Sequence, residues 1–441
     1  MNNKMTLRAL AFPIFFDMLL RSLTMVANTT MIASINVNWV AAMSAGNQVM
    51  ILFLTIFSFL SVGCSVVVAQ ALGANNSNLA TRAIHISLTF NAFLGCVSAI
   101  LLFLFAKPLL HLLQVPQELL GLSYDYLHIL GLALFFDAVG IIMAAIIRVK
   151  NYATLILIIS AGMNFISILG NSIALFGWFG LPVFGLKGVA LSTLISRVIA
   201  IIPLWLVMTK VANIHIFTWL FVDLRKNIVS KILKVGLPSA GENLLWMGQY
   251  MVAFSFVALC GSAALGVQAI YMQLSTFIFL FGSSISIANE ILVGHLVGAG
   301  KFNEAYLRSI RTLKLGVLVT WCVLAVLFLF REELMSFLHL PEEHKEMMRP
   351  LFWLSLVLES GRTFNIIMVN SLRAAGDAKF PFAMGVIFMW GVSLPVGYYT
   401  AITLGWGILG IWVGFCLDEW GRAICNTWRW QSRIWQSKKL V

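Results

Sequence analysis

Residues 71–83 read ALGANNSNLATRA and residues 296–309 read LVGAGKFNEAYLRS; sliding the sequence over itself by 225 positions puts Gly73 on Gly298 and Asn78 on Asn303. The same offset, with no gap, pairs Pro13 with Pro238, Gln48 with Gln273 and Pro116 with Pro341. It also pairs Arg148 with Arg373, Gly185 with Gly410 and Arg197 with Arg422. Self-similarity at so long a period means that one structural unit occurs twice.

The solvent of that unit follows from composition. With 60% hydrophobic and 10% charged residues and a mean hydropathy of +0.94, the chain is too apolar to be a soluble protein. Apolar runs recur along it, about twelve in all, each long enough to cross about 30 Å of hydrocarbon as a helix. The predicted spans are 9–34, 41–71, 79–106, 121–149, 153–178 and 182–210, then 232–259, 266–297, 304–330, 347–375, 378–404 and 406–435. The expected fold is an all-α integral membrane protein of about twelve transmembrane helices in two six-helix lobes. An N-terminal lobe over 1–212 and a C-terminal lobe over 232–441 are joined by a basic, polar cytoplasmic linker over 213–231. Six spans return the chain to its starting side, so the repeat is parallel. Transporters built on parallel repeats carry substrate near the midplane, where the halves rock against each other.

The net charge of +12 is a matter of topology. Its basic residues are spread over short loops, and no basic face with exposed aromatics is present to take nucleic acid. About 20 of the 29 Lys and Arg fall at the two ends and in alternate loops, which places both termini in the cytoplasm by the positive-inside rule. The segments PLLHLLQVP, ending at Pro116, and ELMSFLHLP, ending at Pro341, read as short interfacial helices. The six cysteines show no metal-ligand spacing and read as buried small apolar residues.

Ionisable residues inside spans are costly and are functional candidates by default. Asp17 and Glu242 occupy equivalent positions, each four residues after its span's proline, where a kink can open polar space around a carboxylate. Arg21 lies one helical turn from Asp17 and offers it a purely structural ion pair. Glu242, with Asn243 beside it and no basic neighbour on its turn, is the first candidate for an ion-coupling carboxylate. Glu359 has Arg362 at i+3, and Asp418 has Arg422 at i+4. Glu290 and Asp137 have no helical partner. Arg148 and Arg373 stand at span ends, where they are expected to position loops or meet anionic lipid.

Several stretches carry a family resemblance: GLPSAGENLL from Gly236, the two repeat loops, ESGRTFNIIMVNSLRAAGDAKFP from Glu359, and GILGIWVGFCLDEWGRA from Gly407. In this order, over nearly the whole chain, they resemble the multidrug and toxic compound extrusion (MATE) family. The resemblance implies export of drugs or metabolites by antiport against protons or sodium ions, with no other cofactor. The intramembrane acids outnumber the bases about seven to four, which argues for small organic cations as substrates; membrane lipid as the surroundings and a working monomer in a bacterial inner membrane are expected. The family often has an acid fifteen positions after the first-span proline, where Asn28 stands here, and some bacterial relatives carry Asp at Asn171. Neither amide can titrate, so with Asn243 they are expected as polar cavity residues and coupling falls to other carboxylates. The alternative within the superfamily is a lipid-linked oligosaccharide flippase, which would need a larger, more basic cavity. A membrane-embedded enzyme or a metal site is disfavoured, since no HExxH, GxSxG or Walker A pattern occurs.

Overall fold

The computed structural model describes residues 5–214 and 226–441, so the middle of the expected linker, 215–225, lies outside the described residues. Among the described residues every regular element is helical. In the first half these are α1 (Leu7–Ala33), α2 (Val37–Gly73), α3 (Ser77–Leu112), α4 (Gln117–Gly131), α5 (Ala133–Val149), α6 (Ala153–Phe176) and α7 (Gly185–Leu206, running on to Val211). In the second they are α8 (Lys226–Leu259), α9 (Ser262–Gly298), α10 (Phe302–Leu329), α11 (Arg331–Phe337) and α12 (Glu342–Ala374). A continuous helix, Lys379–Thr403, follows, made of α13 (Lys379–Gly385) and α14 (Leu394–Tyr398) with π-helical turns after each. Last comes α15 (Ile408–Gln431).

The helices fall into two compact units. One comprises residues 1–68 and 76–236, the other 69–75 and 237–441. In the first, Ile32, Phe57, Leu102, Leu127, Leu134 and Val189 form the packed centre. In the second the centre is Val257, Tyr271, Leu351, Ile411, Trp412 and Phe415. The outward faces are apolar as well: Phe93, Phe103, Leu104, Ile158 and Phe165 in one unit, and Met251, Leu318, Trp321 and Ile424 in the other, are all exposed. Apolar residues on both inside and outside are what a lipid solvent demands. Among the described residues eight helices are long and apolar enough to span a membrane, and α4 with α5 make a ninth, bent span. The remaining three spans of the two six-helix lobes are α8, α12 and α15, whose buried charged and polar side chains lower their hydropathy.

The repeat extends to the turns. Left-handed backbone occurs at Asn75 and Gly300, at Gln114 and His339, at Asn151 and Gly376, and at Gly180 and Gly405, each pair 225 residues apart. Residue identity is kept in the last pair only, so the turn geometry has outlasted the sequence. Asn and Gly dominate because they tolerate positive φ at least cost. Asn76 then caps α3, its Oδ1 accepting the Leu79 N–H at 3.0 Å.

Three local features depart from expectation. The fourth span breaks at Leu132 and bends by 48°. Gly131 lies at the break, whereas the equivalent position in unbroken α12 is Leu356. The first interfacial helix does not exist as a separate element, because α3 runs through Pro108 to Leu112. Its counterpart α11 does separate: Arg331 Nη1 donates to the carbonyl of Phe328 at 2.7 Å and closes α10, a cap that Ala106 cannot supply in the first half. Finally, the buried reading of the cysteines holds for Cys64 and Cys416, while Cys96 and Cys322 are exposed.

Candidate functional site

In the second unit, α8, α9, α12 and α15 bring five carboxylates and three guanidiniums together. Glu359 Oε1 accepts from Ser275 Oγ at 2.5 Å and from Arg362 Nη1 at 2.9 Å. Arg362 continues to the Tyr250 hydroxyl at 3.1 Å and to Glu419 at 3.5 Å. Glu419 receives Asn365 Nδ2 at 2.9 Å and pairs with Arg422 at 3.2 Å. Arg422 holds Asp418 bidentately, at 2.6 and 2.8 Å, and reaches Glu242 at 3.8 Å. Glu242 is gripped by Arg373 Nη2 at 2.8 Å, and Arg373 Nη1 donates to Asn370 at 3.2 Å. Gln249 closes the far end, donating to Asp418 at 3.2 Å and to Ser393 at 2.8 Å.

The fifth acid, Glu290, lies beside this chain within the field of Arg373. Its Oε1 is buried without a hydrogen-bond partner, and so is Arg373 Nε. Five acids against three bases leave the cluster two negative charges in excess if every group is ionised. Such an excess is costly in a low-dielectric interior, and Glu290 and Arg373 are only partly buried.

The first unit has a smaller counterpart. Asp17 accepts from Arg21 Nε at 3.1 Å and from Arg148 Nη2 at 2.7 Å, and Asp137 pairs with Arg197 at 3.0 Å. Asp17 and Arg148 are the 225-residue equivalents of Glu242 and Arg373, so one buried ion pair occurs in both halves. Arg197 and Arg422 are equivalent as well, but the other charges are not conserved between the copies. Asp137 corresponds to Arg362, Arg21 to Trp246, and Asp418 and Glu419 to Thr193 and Leu194. Apart from the exposed pair of Lys187 with Asp125, the first unit's ion pairs thus comprise two acids and three bases, an excess of opposite sign.

A cavity of about 320 Å³ opens in this unit, lined by α1, α2, α4, α5, α6 and α7, that is by five of its six spans. Asn28 lines it and accepts from Asn171 Nδ2 at 2.9 Å. Asn243 does not join the polar network of the second unit; it is exposed on α8. Glu242, Glu359, Glu290 and Asp418 are brought together, and Asp17 is held in the other unit.

The sequence reading assigned Arg148 and Arg373 to loops or lipid, and the structure corrects this: both guanidiniums turn inward onto carboxylates. The offset carried the signal, since it preserves an acid at 17 and 242 and an arginine at 148 and 373 together. Ser275, Tyr250, Gln249 and Asn365 carried none, being ordinary polar residues in apolar runs. Among the described residues no group of three or more His, Cys, Asp or Glu could hold a metal ion.

A duplicated, lipid-facing helical protein with buried charge inside each half is a polytopic membrane transporter. The MatE family profile matches residues 13–173 and 238–399, two stretches that again begin 225 residues apart. The chain is 34% identical to an uncharacterized transporter, YisQ, of Bacillus subtilis (strain 168), over 99% of this chain and 96% of that one. It is 24% identical to a probable multidrug resistance protein NorM of Thermotoga maritima, over 98% and 93% of the two chains. Its fold is similar to that of a multidrug resistance MATE family transporter in an outward-facing conformation, with a TM-score of 0.89 at 17% identity, over 97% and 95%. The chain belongs to the MatE family of transporters.

Proposed function

We propose that the protein is a secondary active exporter of small organic compounds, organic cations among them, driven by antiport of protons or sodium ions through alternating access. It works as a monomer in the inner membrane of a bacterium, with both termini in the cytoplasm. The observation that carries this reading is the excess of buried carboxylate in the second unit. An uncompensated carboxylate is neutralised by a proton, by Na+ or by an organic cation, and competition among these couples ion entry to substrate exit. Multidrug resistance relatives such as the Thermotoga maritima NorM support the export direction.

Geometry shifts the choice of coupling residue. Glu242, first by sequence, is already compensated by Arg373. Glu290 carries a buried oxygen without a hydrogen-bond partner, and Nε of the same arginine also lacks one. We assign coupling to Glu290, with Arg373 shared between Glu290 and Glu242 as the cycle proceeds; Glu359, Asp418 and Asp17 hold their arginines throughout. Exchanging one monovalent cation for one proton moves no net charge, so a one-for-one cycle runs on the ion gradient and not on the membrane potential.

The test is efflux of a fluorescent organic cation in everted vesicles under an imposed pH or Na+ gradient. Wild type is compared with Glu290→Gln and Glu242→Gln at matched expression. Gradient-driven transport lost in Glu290→Gln is the expected outcome, and the gradient that drives the wild type identifies the ion. Transport by Glu290→Gln at the wild-type rate would remove Glu290 from the mechanism.

A further inference from the structure

The first unit's cavity is a separate feature with its own charge. Arg21 and Arg197 both line it. Arg21 uses Nε on Asp17, with about half of its side chain exposed (48%), and Arg197 uses Nη1 on Asp137. Each guanidinium thus uses one nitrogen on its acid and keeps its other N–H groups for a further acceptor. Asn164, also in the lining, is 8% exposed, and its Nδ2 is buried with no hydrogen-bond partner. A buried donor left unmade is costly, so the cavity is short of an acceptor. The walls are rich in methionine, at 25, 43, 50 and 163, which adapts to varied apolar frames.

We infer that this cavity binds the acid group of the exported compound: Arg21, Arg197 and the amide of Asn164 take a carboxylate, and the methionine walls take its apolar frame. The favoured cargo therefore carries a carboxylate on an apolar frame. A guanidinium binds carboxylate through parallel N–H···O bonds, which a methyl ester cannot accept with the same strength. The inference rests on the export reading for its physiological meaning, but the site can be tested without it.

The probes are a rhodamine free acid and its methyl ester, which differ only at the carboxyl group. Arg21→Gln is the variant, because Asp17 keeps Arg148 and Arg21 is half exposed; export of the ester by the variant reports its folding. Purified wild type should bind the acid at least tenfold more tightly than the ester, and Arg21→Gln should lose that preference while Arg21→Lys keeps part of it. In everted vesicles, Arg21→Gln should still export the ester and lose most export of the acid. Equal wild-type affinity for acid and ester would overturn the inference, as would wild-type export of the acid by an Arg21→Gln protein that exports the ester. If neither probe moves in the wild type, the export reading fails, and the binding preference alone then decides the site.

Discussion

One ion pair survives in both halves, Asp17 with Arg148 and Glu242 with Arg373, while of the charges around it only Arg197 and Arg422 correspond. Its duplication points to a shared structural duty, and the unpaired Glu290 to the specialised one. Removing one partner of a buried pair strands the other, at a cost of about 3–5 kcal/mol. Arg373→Gln should therefore lower the melting temperature of the detergent-purified protein markedly, and adding Glu242→Gln should recover part of the loss. A double variant no more stable than Arg373→Gln alone would show that the pair is not the unit of stability. Glu290→Gln, whose Oε1 makes no hydrogen bond, should leave the melting temperature within a degree or two of wild type. At this scale the acids were legible, because a carboxylate in an apolar run is conspicuous. Their partners were not: Arg148 and Arg373 sit at span ends by sequence, and a long side chain carries its charge well away from its own Cα.

At the scale of elements, the helix ends show what the repeat conserves. Within the second unit, the C-terminal end of α2 meets that of α9. A Cβ on Gly73 would strike the backbone of His295, and one on Gly298 would strike the backbone of Gln70. Since 70 and 295 are themselves equivalent, the contact is reciprocal, the mark of a local two-fold. Gln70 ties the junction further, donating to the Ala374 carbonyl at 2.6 Å and accepting the Leu440 N–H at 2.9 Å. Gly73→Ala and Gly298→Ala should each destabilise the protein by about 1–3 kcal/mol, the usual range for overpacking, read as a loss of melting temperature. Gly261→Ala, with positive φ but open space, supplies the comparison for backbone strain alone. The sequence flagged Gly73 and Gly298 as repeat partners but could not say what they approach. The bend at Leu132 and the π turns around Pro395 were invisible in it, because both depend on how neighbouring helices pack and leave hydropathy unchanged.

For the whole molecule, the spans, the duplication and the transporter class were legible because lipid imposes length and apolarity on every crossing helix. The sign of each half's buried cluster was not, since it depends on which ionisable residues converge. That sign is the basis of the proposed function: an acid-rich buried cluster in the second half, assigned to ion exchange, and a base-rich cavity in the first. The most direct measurement is counterflux in proteoliposomes. A gradient of fluorescent organic cation is imposed with no ion gradient, while a trapped dye reports internal pH or Na+. The account predicts that substrate movement drives an opposite ion movement in the wild type and none in Glu290→Gln. Substrate flux in the wild type with no accompanying ion movement would contradict it.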